Sequence, residues 1–184
     1  MMVLENACEF KEYLATMADE MGLYGSFEVV GNNINLNIIP KDNNDLPTKE
    51  QVLEKLKENA LKKKKQELES RINAICKEKI VKEFRSSVLG SLHAYDLELE
   101  DQSNLQALVV SGISSVFRCA EVSNGVALNK TYKNHTKEQL LKLSWEALKF
   151  KQDLIVFYGR EKERLNAINS LEALEKFVIK EYLT

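Results

Sequence analysis

Proline and glycine, the residues that most often interrupt helices, are scarce in this chain. Its 184 residues include 7 glycines and 2 prolines, and no proline follows Pro47. Because proline breaks a helix interior and glycine weakens it, this distribution favours long helices after residue 48. We therefore expect a mainly α fold with small β-hairpins, of the α+β class. An N-terminal helix and hairpin would precede a long central helix, and a C-terminal helical domain would contain a second short hairpin.

The first 40 residues carry a helical pattern followed by a hairpin pattern. Apolar residues recur every three or four positions between residues 4 and 21, which predicts one buried helical face, and Gly22 is expected to end this helix. Ser26–Val30 and Ile34–Ile39 flank Gly31-Asn32-Asn33, whose residues tolerate positive φ, so we expect a β-hairpin. An isolated hairpin is marginal in water, so this piece must pack on its own helix, on the rest of the chain or on a second subunit.

The segment Lys41–Pro47 (KDNNDLP) has the composition of a linker, because it combines the turn formers Asn and Asp with a proline. We place a domain boundary here. It separates an N-terminal α-β-β subdomain with its linker, 1–47, from a helical domain, 48–184. Within the second domain, Asn169-Ser170 is expected to separate a long helix from a last helix at Leu171–Tyr182 that buries three apolar residues. These are Leu174, Phe177 and Val178.

A capping-box pattern, Thr48 with Gln51, opens the long central helix, and helical periodicity continues to about Phe84. The lysine run at 62–65 within this helix has two interpretations. It is either a phosphate-binding patch or a solvated helix surface, and three glutamates within helical reach favour the second. A net charge of −2 likewise gives no general reason to bind nucleic acid.

The stretch Ser86–Leu105 (SSVLGSLHAYDLELEDQSNL) interrupts the helical patterns. Gly90 is expected to stop a helix that runs out of Phe84, and Asp101 to cap the next helix, Gln102–Phe117. A loop of this length is usually functional or packed by its own side chains. Its polar and aromatic residues either satisfy buried backbone groups or contact a ligand. They are Tyr95, Asp96, Asp101, Gln102 and Asn104.

A second hairpin is predicted around Asn124-Gly125, with arms at Arg118–Val122 and Val126–Tyr132. Thr136 and Gln139 then repeat the capping-box pattern and open a helix with a wide apolar face, in which Gly159 introduces a kink at most. Trp145 lies off the centre of this face. It is either a rim residue or an anchor for a protein partner, because tryptophan is favoured at interface centres.

Catalytic, metal-binding and membrane signatures are missing from the sequence. There is no G-x-S-x-G, P-loop, G-x-G-x-x-G or H-E-x-x-H motif, and no apolar run approaches the roughly 18 residues of a membrane span. The three cysteines, Cys8, Cys76 and Cys119, lack paired spacing and indicate reduced thiols in a cytosol. His93 and His135 with Cys119 do not have the spacing of a zinc site. The N-terminus also lacks the pattern of a signal peptide.

Six short motifs between Gln66 and Phe150 occur in an order and spacing that resemble a small domain of unknown function found in proteins of tailed phages and prophages. The motifs are R-x-I-N-A on a helix, which this chain carries as R-I-N-A, S-S-x-L-G, an aromatic-Asp pair, D-Q-x-N-L, a segment with Cys and Gly, and H-T-x-x-Q at a helix start. The matching residues are Arg71, Ile72, Asn73, Ala74, Ser86, Ser87, Leu89, Gly90, Tyr95, Asp96, Asp101, Gln102, Asn104, Leu105, Cys119, Gly125, His135, Thr136 and Gln139.

This resemblance implies a tail, tail-fibre or tail-fibre-assembly protein without enzymatic activity or cofactor. It would be a structural or adaptor component whose partner is a second copy of itself or another tail or fibre protein; the alternative is an assembly chaperone that binds its client transiently. The chain would then occupy the bacterial host cytoplasm during assembly, or the virion tail. The resemblance implies that a set of the motif residues forms an interaction surface, and we add Trp145 as a candidate anchor for a partner. The motif residues are Tyr95, Asp96, Asp101, Gln102, Asn104 and His135.

Overall fold

The computed structural model describes residues 1–42 and 45–182. The combination of helices and strands and the long central helix are confirmed, but the strands form two sheets instead of the small hairpins expected of a mainly α fold. The helices are a 3-10 helix at Cys8–Tyr13 and α1 Leu14–Glu20, α2 Lys49–Val81, α3 Leu99–Ser111, α4 Lys137–Asn166 and α5 Leu171–Glu175. The strands are β1 Met2–Leu4, β2 Leu23–Val30, β3 Asn33–Pro40, β4 Phe84–Ser86, β5 His93–Tyr95, β6 Ser115–Ser123, β7 Val126–Ala127 and β8 Thr131–His135.

The chain divides into two compact units. Unit 1 contains Met1–Glu69 and Arg164–Val178, and unit 2 contains Ser70–Glu163 with the chain from Ile179. The predicted linker Lys41–Pro47 falls within unit 1, and its two central residues, Asn43 and Asn44, lie outside the described residues. The domain boundary at Pro47 therefore stays a prediction.

The N-terminal segment is not the single helix predicted for residues 4–21. Its first strand, β1, pairs antiparallel with β3, and the 3-10 helix then leads into α1. Asn6 has a φ of +54°, a left-handed conformation that a right-handed helix cannot contain. The apolar spacing nevertheless identified the buried face correctly, because Phe10, Leu14 and Met17 all lie in the core of unit 1.

The first hairpin is confirmed and is longer than predicted. Its strands β2 and β3 pair along their whole length, from Leu23 opposite Pro40 to Val30 opposite Asn33. Gly31 has a φ of +60°, which the tight turn requires. With β1 the hairpin forms a three-stranded sheet in the order β1-β3-β2. The core of unit 1 consists of Leu4, Ala7, Phe10, Leu14, Met17, Leu23, Ile34, Leu36, Val52, Leu56 and Ala60.

Replacing Gly25 with alanine is expected to destabilise unit 1 by about 1–3 kcal/mol. A Cβ atom at Gly25 would overlap the backbone oxygen of Asn37 and lie 2.9 Å from Ile38 Cα, so the hairpin backbone must shift. Gly159→Ala is the matched control, since nothing lies within 4 Å of a Cβ there. In the interior of α4 this change should stabilise by about 0.5–1 kcal/mol. Chemical denaturation measures the free energy of unfolding of both variants. Equal effects of the two substitutions would contradict the prediction.

Helix α2 begins at the predicted capping box. The Thr48 N–H donates to Gln51 Oε1 over 2.8 Å, and the Gln51 N–H donates to Thr48 Oγ1 over 3.3 Å. These reciprocal bonds satisfy two N–H groups that an uncapped helix start leaves without partners.

Two side chains of the lysine run at 62–65 have partners within unit 1. Lys63 Nζ lies 3.6 Å from a carboxylate oxygen of Glu12, and Lys65 Nζ donates to the backbone oxygen of Asn166 over 2.9 Å. These lysines therefore contribute to contacts inside the unit, as expected for a helix surface with compensating charges.

The chain between α2 and α3 differs from the prediction. Helix α2 ends at Val81, and Phe84–Ser86 forms a strand instead of a helix that continues to Gly90. Phe84 and Ser86 are buried while Arg85 is exposed, the alternation of a strand with one buried face. Gly90 does adopt a positive φ, +90°, but within the connection between β4 and β5.

Helix α3 starts and ends earlier than the predicted Gln102–Phe117. Glu98 occupies its N-cap position without a side-chain cap, and Asp101 lies in the first turn, so the prediction that Asp101 caps the helix is wrong. Gly112, with a φ of +64°, accounts for its end because this left-handed position suits glycine. The following residues join β6, which pairs with β5, β7 and β8.

The second hairpin has its predicted turn at Asn124-Gly125, where both residues have positive φ. Its returning arm is interrupted, because only Val126–Ala127 and Thr131–His135 pair with β6. The unit 2 sheet therefore has the order β4-β5-β6-β7, with β8 also on β6. A core lies against α3 and α4 and consists of Phe84, Val88, Tyr95, Leu97, Leu105, Phe117, Cys119, Leu140, Leu143 and Ala147.

The predicted start of helix α4 and its continuity through Gly159 are both confirmed. The Thr136 N–H donates to Gln139 Oε1 over 2.8 Å, the Gln139 N–H donates to Thr136 Oγ1 over 3.2 Å, and the helix continues through Gly159 to Asn166.

Helix α5 begins as predicted, because Ser170 Oγ accepts the Ala173 N–H over 3.3 Å. It ends at Glu175 rather than Tyr182. Among the residues expected to be buried on this helix, Leu174 is buried, Phe177 is half-buried and Val178 is exposed.

Candidate functional site

Tyr95 lies at the centre of unit 2 rather than on a surface loop. It is on β5 and fully buried, with its ring centroid 5.6 Å from that of Phe84 and 6.3 Å from that of Phe117. Burial raises the pKa of the Tyr95 hydroxyl, and the neighbouring Cys119 thiol adds to this rise. The ring therefore stays neutral and serves as a large core residue with one polar atom.

The Tyr95 hydroxyl bonds to His135, another buried residue of the sequence motifs. Tyr95 Oη lies 3.0 Å from His135 Nε2, and His135 Nδ1 lies 2.8 Å from the backbone oxygen of Lys133. A carbonyl oxygen can only accept, so Nδ1 carries the proton and Nε2 of the neutral ring accepts the tyrosine O–H. This bond joins β5 to the end of β8, 40 residues apart along the chain.

The free energy of unfolding of unit 2 is expected to fall as the pH drops below the ordinary histidine pKa of about 6.5. Burial lowers the pKa of His135, and the nearby His93 lowers it further, while the hydrogen bond to Lys133 opposes them. Below the ordinary histidine pKa of about 6.5 the unfolded chain takes up a proton that the folded chain excludes. The stabilisation that results is fully present above the ordinary pKa, and it is lost as the pH falls towards the lowered pKa of His135. Thermal unfolding of His135→Gln should show a shallower acid limb, and an unchanged acid limb would exclude His135 as its cause.

Two further motif residues make structural contacts inside unit 2. Asp96 pairs with Lys130 at 2.6 Å. Gln102 Nε2 donates to the backbone oxygen of Leu97 over 2.7 Å, and its Oε1 accepts from Lys151 Nζ over 3.1 Å. Gln102 therefore connects the start of α3 to α4, which fixes the separation of the two helices at that level.

Asp96, Asp101 and Asn104 lie together along a polar groove of about 660 Å³ between α3 and the sheet, which Arg118 and Tyr132 also line. Asn104 is exposed and Asp101 is half-buried. The structure thus brings three of the predicted residues to one groove, whereas Tyr95 and His135 lie in the core.

Trp145 lies on a second groove, of about 450 Å³, between α3 and α4. Its side chain is 69% exposed. Leu105 and Val109 of α3 and Leu148 of α4 supply apolar lining, and the Gln102–Lys151 hydrogen bond lies at the same site. We call it the α3–α4 groove. It is lined both by Trp145, the candidate anchor, and by Gln102 of the D-Q-x-N-L motif.

An exposed apolar stripe continues from the α3–α4 groove along α4. Its members are separated by four, three and seven residues, a spacing that places them on one helical face. All are at least 44% exposed. They are Leu141, Trp145, Leu148 and Ile155. Helix α4 therefore carries two apolar faces, one in the core and one open, and the sequence predicted only the first.

The residues considered as metal ligands have other roles. His93 Nδ1 lies 2.8 Å from the backbone oxygen of Ser91, His135 is bonded to Tyr95, and the Cys119 thiol is buried with a raised pKa caused by its burial. Within residues 1–42 and 45–182, no three His, Cys, Asp or Glu side chains are grouped as metal ligands would be. None of the helices in the described ranges combines the length and apolarity of a membrane span.

Comparison with known protein families, curated proteins and solved structures finds no match to this chain.

Proposed function

We propose that this chain is a non-enzymatic protein of a phage or prophage tail that works through protein–protein interaction. In this proposal the α3–α4 groove holds an apolar segment of another tail or fibre protein. The motif resemblance supports the tail context, and the groove supports the mode of action. The exposure of Trp145 at the groove is the observation that carries the proposal.

An exposed tryptophan beside an apolar groove is typical of a protein-binding site. Tryptophan side chains are enriched among the residues that dominate binding free energy at protein interfaces. Leu148 and Leu141 extend the apolar surface beyond the ring, with spacings of three and four residues that place them on the same face of α4. The groove therefore offers an apolar anchor point and a direction along α4 for a helical segment.

Polar groups at the rim of the α3–α4 groove would orient the partner. Lys151 is held by Gln102, and Lys142 lies 3.9 Å from a carboxylate oxygen of Glu146 at the other side of the stripe. Charges at an interface rim contribute mainly to specificity and association rate. Their mixed signs here favour a partner with both acidic and basic flanking residues over a uniformly charged polymer such as DNA.

The lifetime of the complex tests this function and separates it from the chaperone alternative. Tail and fibre proteins of the same phage would be passed over the immobilised chain, and their dissociation followed. A structural component should stay bound through the wash, while a chaperone should release its client within the measurement. The absence of binding by every tail and fibre protein would refute the proposed function in both forms.

A further inference from the structure

Strand β2 forms an open edge of the sheet in unit 1. In the order β1-β3-β2, β3 is its only partner strand among residues 1–42 and 45–182. Seven of its eight residues, from Tyr24 to Val30, are exposed, and four of these are large and apolar. The four are Tyr24, Phe27, Val29 and Val30.

The free edge presents backbone groups that can pair with another strand. A two-residue hairpin is closed by a hydrogen-bonded pair, here Val30 with Asn33, and such pairs alternate along an antiparallel ladder. Gly25, Phe27 and Val29 therefore direct their N–H and C=O groups away from β3. Soluble proteins usually protect such edges with lysine, proline or a bulge. β2 contains no lysine or proline, and its register with β3 is unbroken.

The core side of β2 is also open to solvent at Phe27. Phe27 pairs with Leu36 and shares its face of the sheet, yet Phe27 is 50% exposed whereas Leu36 is 1% exposed. The apolar surface of the sheet therefore continues to its edge and ends in solvent. A neighbouring strand with an apolar residue opposite Phe27 would complete that surface.

We propose that β2 pairs antiparallel with β2 of a second copy of this chain, joining two three-stranded sheets into one of six strands. Phe27 lies opposite Phe27 of the other copy on a two-fold axis. The same register opposes Tyr24 to Val30, Gly25 to Val29 and Ser26 to Glu28. It pairs the outward-facing backbone groups of Gly25, Phe27 and Val29 with those of the other copy. Glu28 is the one charged residue of the strand, and it faces serine, so no like charges meet.

The expected affinity follows from the size of this contact. A half-exposed aromatic ring still offers on the order of 100 Å² to a partner, and Tyr24 and Phe27 are both at least half exposed. The interface is at the small end of specific interfaces, which corresponds to roughly micromolar dissociation constants. This self-association uses unit 1 and does not depend on the α3–α4 groove of unit 2.

Disulfide trapping tests the proposed register. In a hydrogen-bonded antiparallel pair the Cα atoms are about 5.5 Å apart, within the range that a disulfide spans. Phe27→Cys should therefore form a covalent dimer under mild oxidation. Val29→Cys is the matched control, because the two copies of residue 29 would be about 13 Å apart along the strands. The wild type controls for Cys8, Cys76 and Cys119.

Light scattering of the unmodified chain completes the test. A dimer should form at roughly 100 µM. Val29→Pro should convert it to a monomer while preserving the circular dichroism spectrum, because only an outward N–H is lost. Ile39→Lys, on the exposed face of β3, should remain dimeric. A monomeric wild type, equal crosslinking at positions 27 and 29, or a dimer that survives Val29→Pro would overturn the proposal, as would loss of the dimer in Ile39→Lys.

Discussion

Replacing Tyr95 with alanine is expected to lower the free energy of unfolding of unit 2 by about 3–5 kcal/mol. The ring is fully buried between Phe84 and Phe117, so truncation leaves a large cavity in the core. It also removes the hydroxyl that bonds to His135 Nε2. Chemical denaturation followed by circular dichroism measures the loss, which should be visible as an earlier unfolding transition.

A second variant separates the contribution of the Tyr95 ring from that of its hydroxyl group, and a variant at Tyr132 is the control. Tyr95→Phe keeps the ring and leaves the buried His135 nitrogen without a donor, and should destabilise by about 1–3 kcal/mol. Tyr132→Ala is the matched control, since Tyr132 lies on β8 and is 70% exposed, and its loss should change stability by no more than about 0.5 kcal/mol. A Tyr95→Phe variant as stable as the wild type would show that the hydroxyl contributes nothing.

Replacing Trp145 with alanine is expected to weaken binding of the tail or fibre partner by about 30-fold or more, the effect of removing a dominant interface residue. The folded state should keep its stability within about 0.5 kcal/mol, because the side chain is largely exposed. Surface plasmon resonance with the purified partner measures the affinity, and thermal unfolding measures the stability.

Val126→Ala provides the control for Trp145→Ala. Val126 is 65% exposed on β7 and does not line the α3–α4 groove. This variant should bind the partner as the wild type does. If the two variants bind equally, the groove is not the binding site and the proposed mode of action is wrong.

The elements predicted well from the sequence are those specified by local chemistry. The capping boxes at Thr48 and Thr136 located the starts of α2 and α4, because each start is fixed by side chains three residues apart. Gly31 located the turn of the first hairpin for a similar reason. These signals act within a few residues, so no knowledge of the tertiary structure is needed to interpret them.

The elements that the sequence did not reveal depend on distant partners. Strands β4 and β5 have three residues each, too few to show a period, and β5 is held in place by its pairing with β6. The same applies to β1, which is a strand because β3 lies beside it. Short strands of this kind are determined by the sheet they join, and local propensity is a weak guide to them.

The candidate site was predicted in part. Trp145 was singled out because it lies off the buried stripe of α4, and that position places it on the α3–α4 groove. The motif residues were chosen by resemblance, which gave no indication that Tyr95 and His135 meet in the core. Their contact joins residues 40 positions apart, a separation over which periodicity and spacing carry no information.

The most direct test of the proposed function uses the single tryptophan of the chain. Biosynthetic incorporation of 5-fluorotryptophan gives one ¹⁹F resonance, from Trp145, while the tail or fibre partner stays unlabelled. We predict a solvent-exposed chemical shift for the free chain, and a saturable change to a buried environment when the partner is added. A resonance that stays at its free position while light scattering shows the complex would contradict the central claim, because the partner would then bind elsewhere.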